Sequence, residues 1–523
     1  MKTRISISLA LAALVSLASC DSYLDQLPDD RAELNTLEKT RQIITSAYPT
    51  NSPNYLFIMS SDDVTDNGVL YVAQPDQLQA YNWQPVETEG NDDPSAIWNA
   101  DYEAAAVANM ALQSIEGNTS DEANALRAEA LLCRAYAMFQ AANTFCMAWN
   151  PDRADDYLGI PYPTTPGVSV DERGTLRETF ANINADIEEA LPLLNDSYLA
   201  VPKYHFNSRA AYAFAARFNL YYQNWQKAAD YATRALGSNP LSLLRHTSAY
   251  TSLAGVDDIH NRWISSGENC NFMFTTAYST AGRAIQGSSS FRRIAHNQDI
   301  VRSQTFWAAS PWSTGGSSVS SNAIEDARML YGNSQIVYIP SLIEDFEVTD
   351  NVTNTGYPHV VDPVFTADET LLVRAEAYTM LRQYANAIAD MNLWLTAHSD
   401  TTSPRYLTLT EDNINTSLNS IRMSEVPSRS VTEETIKKPL NPQGFSVEEG
   451  TQTNLIYTIL HMRRISTIYQ GLRWLDIKRW GIEFTHHHDG TANTTFRAGD
   501  LRGAIQLPGD VVDAGLQANP RDN

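Results

Sequence analysis

The chain has 523 residues, and its 61 acidic side chains against 37 basic ones give a net charge of -24. A negative field of this size opposes nucleic acid and anionic lipid, and it favours a neutral or cationic ligand unless a basic pocket forms locally. Length alone suggests about three domains of roughly 150 residues, so the chain is long enough to bury a large core.

The N-terminal residues predict a targeting segment. Lys2 and Arg4 precede an apolar run that is too short to span a bilayer. The run ends in Leu17-Ala18-Ser19-Cys20, which is typical of a bacterial lipoprotein signal cut to leave Cys20 as a lipidated N-terminus. An ordinary secretory signal is the alternative. We therefore predict a signal peptide at 1–19 and an acidic tether at 20–35, with acyl chains providing the membrane attachment.

Three further cysteines remain after Cys20: Cys133, Cys146 and Cys270. Cys133 and Cys146 fall on or near one apolar helical segment, which indicates buried thiols rather than a disulfide. The scattered positions have no metal-ligand spacing.

Helical periodicity dominates the chain. Between Asp121 and Ala148, apolar residues recur at steps of three and four, and the acidic Asp121 and Glu122 stand at the predicted N-terminus, where the helix dipole favours them. Similar patterns cover 95–115 and 176–194. These segments predict three helices.

Two stretches have the spacing of a tetratricopeptide unit, with aromatic and small residues at fixed positions of two paired helices. The first comprises Tyr212, Trp225, Ala228, Ala235 and Pro240, and the second Ala375, Tyr378, Tyr384, Ala387, Ile388 and Met391. Gln223-Asn224 occupies the turn where glycine is usual. Because the copies lie about 160 residues apart, we predict helical hairpins packed into a scaffold with long inserted loops, and not a continuous solenoid.

The inserted region spans about 241–366 and is rich in Ser, Gly, Asn and aromatic residues. Strand-like runs at 271–274 and 335–339 predict an irregular subdomain with small β elements, which is a suitable place for a binding surface. The predicted organisation is one body over 36–523, with its helical scaffold at about 95–240 and 367–480.

A series of motifs along the chain carries a family resemblance. They are Arg127–Tyr136, Gly159–Pro161, Ala185–Leu194, Asn224–Ala229, Glu369–Ala377, Met462–Ile465 and Tyr469–Gly481. In this order they resemble the SusD/RagB lipoproteins of the Bacteroidetes over essentially the whole chain. Tyr469 and Leu475 stand where that family usually has Glu and Phe.

The resemblance implies a mainly α fold of tetratricopeptide-like hairpins (SusD-like) and a lid-like position over a SusC-like TonB-dependent transporter. Relatives in this family bind starch, other polysaccharides, host glycans or, in some branches, peptides.

The Tyr469–Gly481 motif is interpreted as structural rather than ligand-binding. Ile465, Ile468, Leu472 and Leu475 have the spacing of one helical face, and Arg473 can pair with Asp476 at i,i+3. Gly481 is a suitable helix stop.

Glycan binding requires aromatic faces that stack on sugars beside groups that bond hydroxyls. Trp307 and Trp312 lie in a Ser/Gly-rich stretch where no helix face could bury both, and Tyr278, Trp83 and Tyr81 lie in similarly polar stretches. Candidate hydrogen-bonding partners are Arg292 and Asn297. The alternative is that each ring packs under its own loop.

The sequence gives little indication of a metal site or of an enzyme active site. His486-His487-His488 is interpreted as a solvated loop, because adjacent residues on regular structure do not converge on one ion. The stretch 62–68 is rich in Asp, but Gln74 stands where a calcium loop needs an acid, so we predict no cofactor, with structural calcium as the alternative. The sequence has no nucleophile elbow, zinc-protease or phosphate-loop motif.

We therefore predict a non-catalytic, glycan-binding lipoprotein on the cell-surface face of the outer membrane, which delivers oligosaccharide to a SusC-like transporter. The alternatives are a peptide-binding member of the same family, an assembly scaffold, and a surface glycan hydrolase, since two catalytic carboxylates have no sequence signature.

Overall fold

The computed structural model describes residues 34, 36–167, 172–316 and 322–521. The predicted signal peptide, the predicted lipidation site Cys20 and, apart from Leu34, the predicted tether up to residue 35 lie outside the described residues. None of the described helices combines the length and apolar character needed to cross a bilayer.

The regular structure is mostly helical. The described α-helices are α1 (Leu37–Ile44), α2 (Asn54–Ser60), α3 (Pro75–Tyr81), α4 (Pro94–Ser114), α5 (Asp121–Phe145), α6 (Leu176–Ala190), α7 (Ser208–Tyr221), α8 (Trp225–Leu236), α9 (Val256–Trp263), α10 (Ala281–Ile285), α11 (Gln298–Ser303), α12 (Ala367–Met380), α13 (Tyr384–Ala397), α14 (Glu411–Ser420), α15 (Thr451–Ser466), α16 (Leu472–Trp480) and α17 (Gly509–Asp513). The three helices predicted from periodicity are α4, α5 and α6.

Consecutive helices pack against each other as hairpins. Helix α4 packs on α5, α7 on α8, and α12 on α13. Helix α8 also packs on α12, although residues 237–366 separate them in the chain. The two tetratricopeptide-like units are therefore neighbours in space, and the predicted fold class of helical hairpins with a long insertion is confirmed.

The turns of both units contain a residue other than glycine in a left-handed conformation. Gln223, between α7 and α8, has φ of 64°, and Arg382, between α12 and α13, has φ of 59°. The Gln223 amide donates to the carbonyl of Gln443 at 2.7 Å, and Arg382 forms an exposed ion pair with Glu448. The hairpin turn is retained without the usual glycine.

The strands are short, with three exceptions. They are β1 (Thr65–Asp66), β2 (Asn271–Tyr278), β3 (Ile294–Ala295), β4 (Ala309–Ser310), β5 (Ser313–Thr314), β6 (Tyr331–Gly332), β7 (Val337–Tyr338), β8 (Asp345–Asp350), β9 (Thr355–Thr366), β10 (Phe484–His486) and β11 (Thr494–Phe496). The three exceptions, β2, β9 and β8, form a three-stranded antiparallel sheet in that order. Of the two predicted runs, 271–274 lies wholly within β2, whereas 335–339 contributes only β7.

The insertion is joined to the helical scaffold through the core. Phe365, near the end of β9, lies with its ring centroid 5.7 Å from those of Tyr136 in α5 and Phe214 in α7. One continuous cluster of buried side chains extends from these rings into both helical segments. Trp98 is also buried in this cluster. The base of the sheet is thus held rigidly by the scaffold.

The free cysteines Cys133, Cys146 and Cys270 are all buried. This confirms the prediction that Cys133 and Cys146 are buried thiols and not a disulfide.

The C-terminal motif differs from its predicted geometry. The predicted helical face is divided between α15 and α16, because the chain turns at Tyr469 with φ of 70°. Arg473 pairs with Asp62 at 2.7 Å, and not with Asp476, which accepts from Arg463 and Arg479. The predicted stop is confirmed, since Gly481 ends α16 in a left-handed conformation.

Candidate ligand-binding site

Three of the predicted stacking rings are buried. Trp312 is 3% exposed and stacks on His461 with ring centroids 5.3 Å apart. Trp83 is 4% exposed and stacks on His486. Tyr81 is fully buried, stacks on the same histidine ring with centroids 3.9 Å apart, and donates its hydroxyl to the carbonyl of His487. The expectation that these rings present a face to a sugar is therefore corrected: segments far away in the chain cover them.

Asn297 is also committed to the fold. Its side-chain oxygen accepts from the backbone N–H groups of Asp299 and Ile300 at the start of α11, and its amide donates to Asn67 at 3.0 Å. It is therefore a helix cap rather than a free donor. Arg292 is exposed and Trp307 is half-buried, so these two remain candidates.

Tyr278 is the predicted ring that has an accessible face. It ends β2 and is 39% exposed, and Tyr357 in β9 beside it is 55% exposed. Their ring centroids lie 5.6 Å apart with the planes at 60°. Tyr357 was not among the residues predicted to bind a ligand. Its place in a strand of alternating residues could have identified it as an outward-facing ring.

The aromatic residues with large exposed areas all belong to this part of the described chain. They are Tyr204, Tyr278, Phe346 and Tyr357. Phe346 lies in β8, and Tyr204 packs beside Phe274 of β2, with ring centroids 5.6 Å apart. Exposed rings are thus concentrated at the three-stranded sheet.

The strand register places polar groups beside the two tyrosines. Tyr278 is directly opposite His359, which is opposite Asp345, and Tyr357 is opposite Glu347. Cross-strand partners share one face of a sheet, so these five residues form one surface, here called the tyrosine platform. On the other face of the same strands, Ala277 and Val360 are buried. The platform is the outward face.

Buried carboxylates hold the platform to the scaffold. The carboxylate of Asp92 accepts a hydrogen bond at 2.7 Å from the backbone N–H of Thr280, which closely follows Tyr278 in the chain. Burial raises the pKa of Asp92 to about 6. Asp362 in β9 accepts from the Asn54 amide at 2.7 Å, and burial likewise raises its pKa to about 6. The backbone N–H of Tyr278 donates to Thr50 at 2.8 Å. The strands that carry the two rings are therefore anchored to the scaffold.

The platform has groups that suit a hydroxylated ligand. All six residues of β8 are exposed, so the carboxylates of Asp345 and Glu347 face solvent. Two angled rings can stack on sugar C–H surfaces, while the two carboxylates bond the hydroxyls around them.

One cluster has the residue types of a nucleophilic triad but the wrong geometry. Ser428 donates to Glu434 at 2.6 Å and lies 3.1 Å from Nε2 of His487. Glu434 lies 3.5 Å from that same nitrogen, whereas a triad carboxylate holds the other ring nitrogen. Ser428 is also only 4% exposed. The cluster is a buried hydrogen-bond network.

The two segments considered as metal sites are engaged in contacts within the protein. Asp62, Asp63 and Asp66 are paired with Arg473, Arg464 and Arg293, so these carboxylates are occupied by guanidinium groups. His486 is buried in β10, which corrects the interpretation of its segment as a solvated loop. Within the described residues no three His, Cys, Asp or Glu side chains are grouped to hold a metal ion.

A separate cleft of about 720 Å³ lies between residues 85–95 and 506–518. Its lining contains Glu87, Glu89, Asp510 and Asp513 but no aromatic side chain. It therefore has no ring on which a sugar could stack, and none of the predicted site residues lines it.

Comparison with known proteins agrees with the fold. A SusD-like family model, described as starch-binding and associating with the outer membrane, matches residues 22–220. Residues 22–220 are therefore similar to the SusD-like family, and the fold of the chain is SusD-like. None of the curated proteins matches this SusD-like chain in sequence.

Solved structures extend the likeness over almost the whole SusD-like chain. A SusD superfamily protein from Bacteroides thetaiotaomicron is 17% identical, with a TM-score of 0.63 over 93% of this chain and 100% of its own. One from Bacteroides fragilis is 16% identical, with a TM-score of 0.61 over 93% and 99%. A SusD-like carbohydrate-binding protein from Bacteroides vulgatus is 15% identical, with a TM-score of 0.56 over 92% and 97%. At these identities the likeness concerns the fold.

Proposed function

We propose that this protein is a carbohydrate-binding lipoprotein of the outer membrane, and that the tyrosine platform is its glycan site. The observation that carries the proposal is the pair of exposed rings, Tyr278 and Tyr357, held side by side on a SusD-like fold. The family description as starch-binding and the carbohydrate-binding relative support the same ligand class.

The finer parts of the proposal concern attachment and partner. Cys20 carries the lipid, and the folded body faces outward from the cell and delivers oligosaccharide to a SusC-like TonB-dependent transporter. The lipoprotein signal and the family description as associating with the outer membrane support this arrangement. The net charge of -24 supports attachment through acyl chains rather than through anionic headgroups.

We propose that binding involves no bond cleavage. The two carboxylates of the platform, Asp345 and Glu347, are both exposed on one strand. Neither is enclosed in an apolar pocket of the kind that surrounds the general acid of a glycosidase. The protein is expected to release no new reducing ends from any polysaccharide it binds.

The test removes the rings and measures glycan affinity. Tyr278→Ala combined with Tyr357→Ala is expected to weaken binding by about tenfold or more, because each stacked ring contributes roughly 0.5–1.5 kcal/mol. Affinity is measured by calorimetry against a panel of soluble polysaccharides and of oligopeptides, and reducing ends are assayed in the same mixtures.

Tyr204→Ala is the matched control, since Tyr204 is 45% exposed but packs on Phe274 rather than beside Tyr357. It should leave affinity unchanged. Binding of oligopeptides alone, production of reducing ends, or full glycan affinity in the double variant would each contradict the proposal.

A further inference from the structure

The charges around the tyrosines indicate which glycans the platform accepts. We infer that the platform binds an uncharged glycan, that Asp345 and Glu347 accept its hydroxyls, and that the same two carboxylates reject uronate-containing or sulfated glycans. This inference rests on the proposed function and specifies its ligand class.

The sheet contains no positive charge. Strands β2, β8 and β9 include no Lys or Arg, and none occurs anywhere between Arg328 and Arg374. The same strands contain four acidic residues, Asp345, Glu347, Asp350 and Asp362. An anionic sugar is usually bound through Arg or Lys, and the sheet offers neither.

The closest cation after β2 in the sequence is already neutralised. Arg283 lies five residues after Tyr278, and its Nε donates to Glu344 at 2.7 Å. At the opposite end of β2, Arg209 lies over the ring of Phe272, 5.9 Å from its centroid. Neither guanidinium provides a free positive charge beside the tyrosines.

The two acids are placed to bind the same sugars that the rings stack on. Glu347 is directly opposite Tyr357, and Asp345 is directly opposite His359. Such partners have Cβ atoms about 4.5–5.5 Å apart. A carboxylate has two acceptor oxygens, so it can bond two adjacent hydroxyls of one sugar. Neither acid forms an ion pair with any other described residue, so both are free to do so.

A negatively charged sugar bound on the tyrosine platform would be repelled by both carboxylates. Like charges a few ångströms apart at a protein surface lower affinity by about tenfold each at low salt, and added salt screens the effect. The geometry therefore excludes anionic glycans while it favours neutral ones.

The experiment compares neutral polysaccharides with their carboxymethylated forms, and the salt dependence separates the effect of charge from that of the added substituent. The detergent-solubilised lipoprotein is titrated with soluble starch, arabinoxylan and mixed-linkage glucan, and with the carboxymethylated form of each. Homogalacturonan and chondroitin sulfate complete the panel. At least one neutral polymer is expected to bind, and its carboxymethylated form at least tenfold more weakly, with the difference narrowing as sodium chloride is added.

Asp345→Asn combined with Glu347→Gln should reduce this discrimination several-fold and weaken binding of the neutral polymer modestly. Asp152→Asn combined with Glu189→Gln is the matched control, because these exposed acids change the net charge equally and lie outside the platform. The control should leave the discrimination unchanged.

The outcomes separate the two claims. An anionic polymer that binds as tightly as a neutral one, and loses affinity in the Tyr278→Ala, Tyr357→Ala variant, would overturn the inference while the proposed function stands. Unchanged discrimination in the acid variant would also overturn it. Failure of every glycan to bind would overturn the proposed function and this inference together.

Discussion

At the scale of single residues, buried charges join parts of the chain that are far apart in sequence. Both oxygens of Asp62 accept from Arg473 at 2.7 Å, and Lys438 lies 2.6 Å from the same carboxylate. Although burial favours the protonated form, the cations of Arg464, Arg473 and Lys438 hold the pKa of this carboxyl well below its usual range. Asp62 therefore stays ionised, and together with Asp63 and Glu434 it balances these three buried cations.

Removing Asp62 is expected to destabilise the protein strongly. Asp62→Ala should lower the free energy of unfolding by about 3–5 kcal/mol, because it leaves buried cations without their counter-charge. Urea unfolding followed by circular dichroism measures the change. Asp156→Ala is the control, since its i,i+3 pair with Arg153 is mostly exposed and contributes about 0–1 kcal/mol. Equal effects of the two substitutions would refute this role for Asp62.

At the scale of elements, the helical hairpins depend on turns that strain two residues. At Gln223 the side-chain hydrogen bond to the carbonyl of Gln443 offsets part of the backbone strain. Arg382 has only an exposed ion pair with Glu448. The left-handed conformation is unfavourable for any residue with a Cβ atom, so the strain at Arg382 is not offset by packing.

This difference can be measured at Arg382. Arg382→Gly and Arg382→Ala both remove the ion pair, but only glycine also removes the strain of the positive φ. We expect Arg382→Gly to be more stable than Arg382→Ala by about 1 kcal/mol, as judged by thermal unfolding. At Gln223 glycine and alanine should differ by a similar amount, because φ is positive there too, but both variants should also lose the stability contributed by the bond to Gln443. An Arg382→Ala variant as stable as Arg382→Gly would argue against strain at this turn.

At the scale of the whole molecule, the proposed lipid anchor determines where the folded body works. Cys20→Ser should shift the protein from the outer-membrane fraction to the soluble fraction and abolish labelling by radioactive palmitate, because the apolar attachment is lost. Co-purification with a TonB-dependent barrel should fall with it. The Tyr278→Ala, Tyr357→Ala variant serves as control. It should remain in the outer-membrane fraction and should still co-purify with the barrel.

Much of the scaffold could be predicted from the sequence because helix formation is local. Periodicity over a few turns predicted α4, α5 and α6, and the aromatic and alanine spacing predicted the hairpins α7–α8 and α12–α13. These signals come from residues within one helix or one turn of each other. The order of motifs along the chain was enough to indicate the SusD-like fold.

Only the tertiary structure decided which rings are accessible. Trp312 and Tyr278 both lie in polar stretches, yet Trp312 is buried against His461 and Tyr278 is exposed beside Tyr357. Arg473 has a nearby acid in sequence, but its partner Asp62 is 411 residues away. Burial and charge pairing depend on which distant segments meet, and that information is spread over the whole chain rather than contained in any window of it.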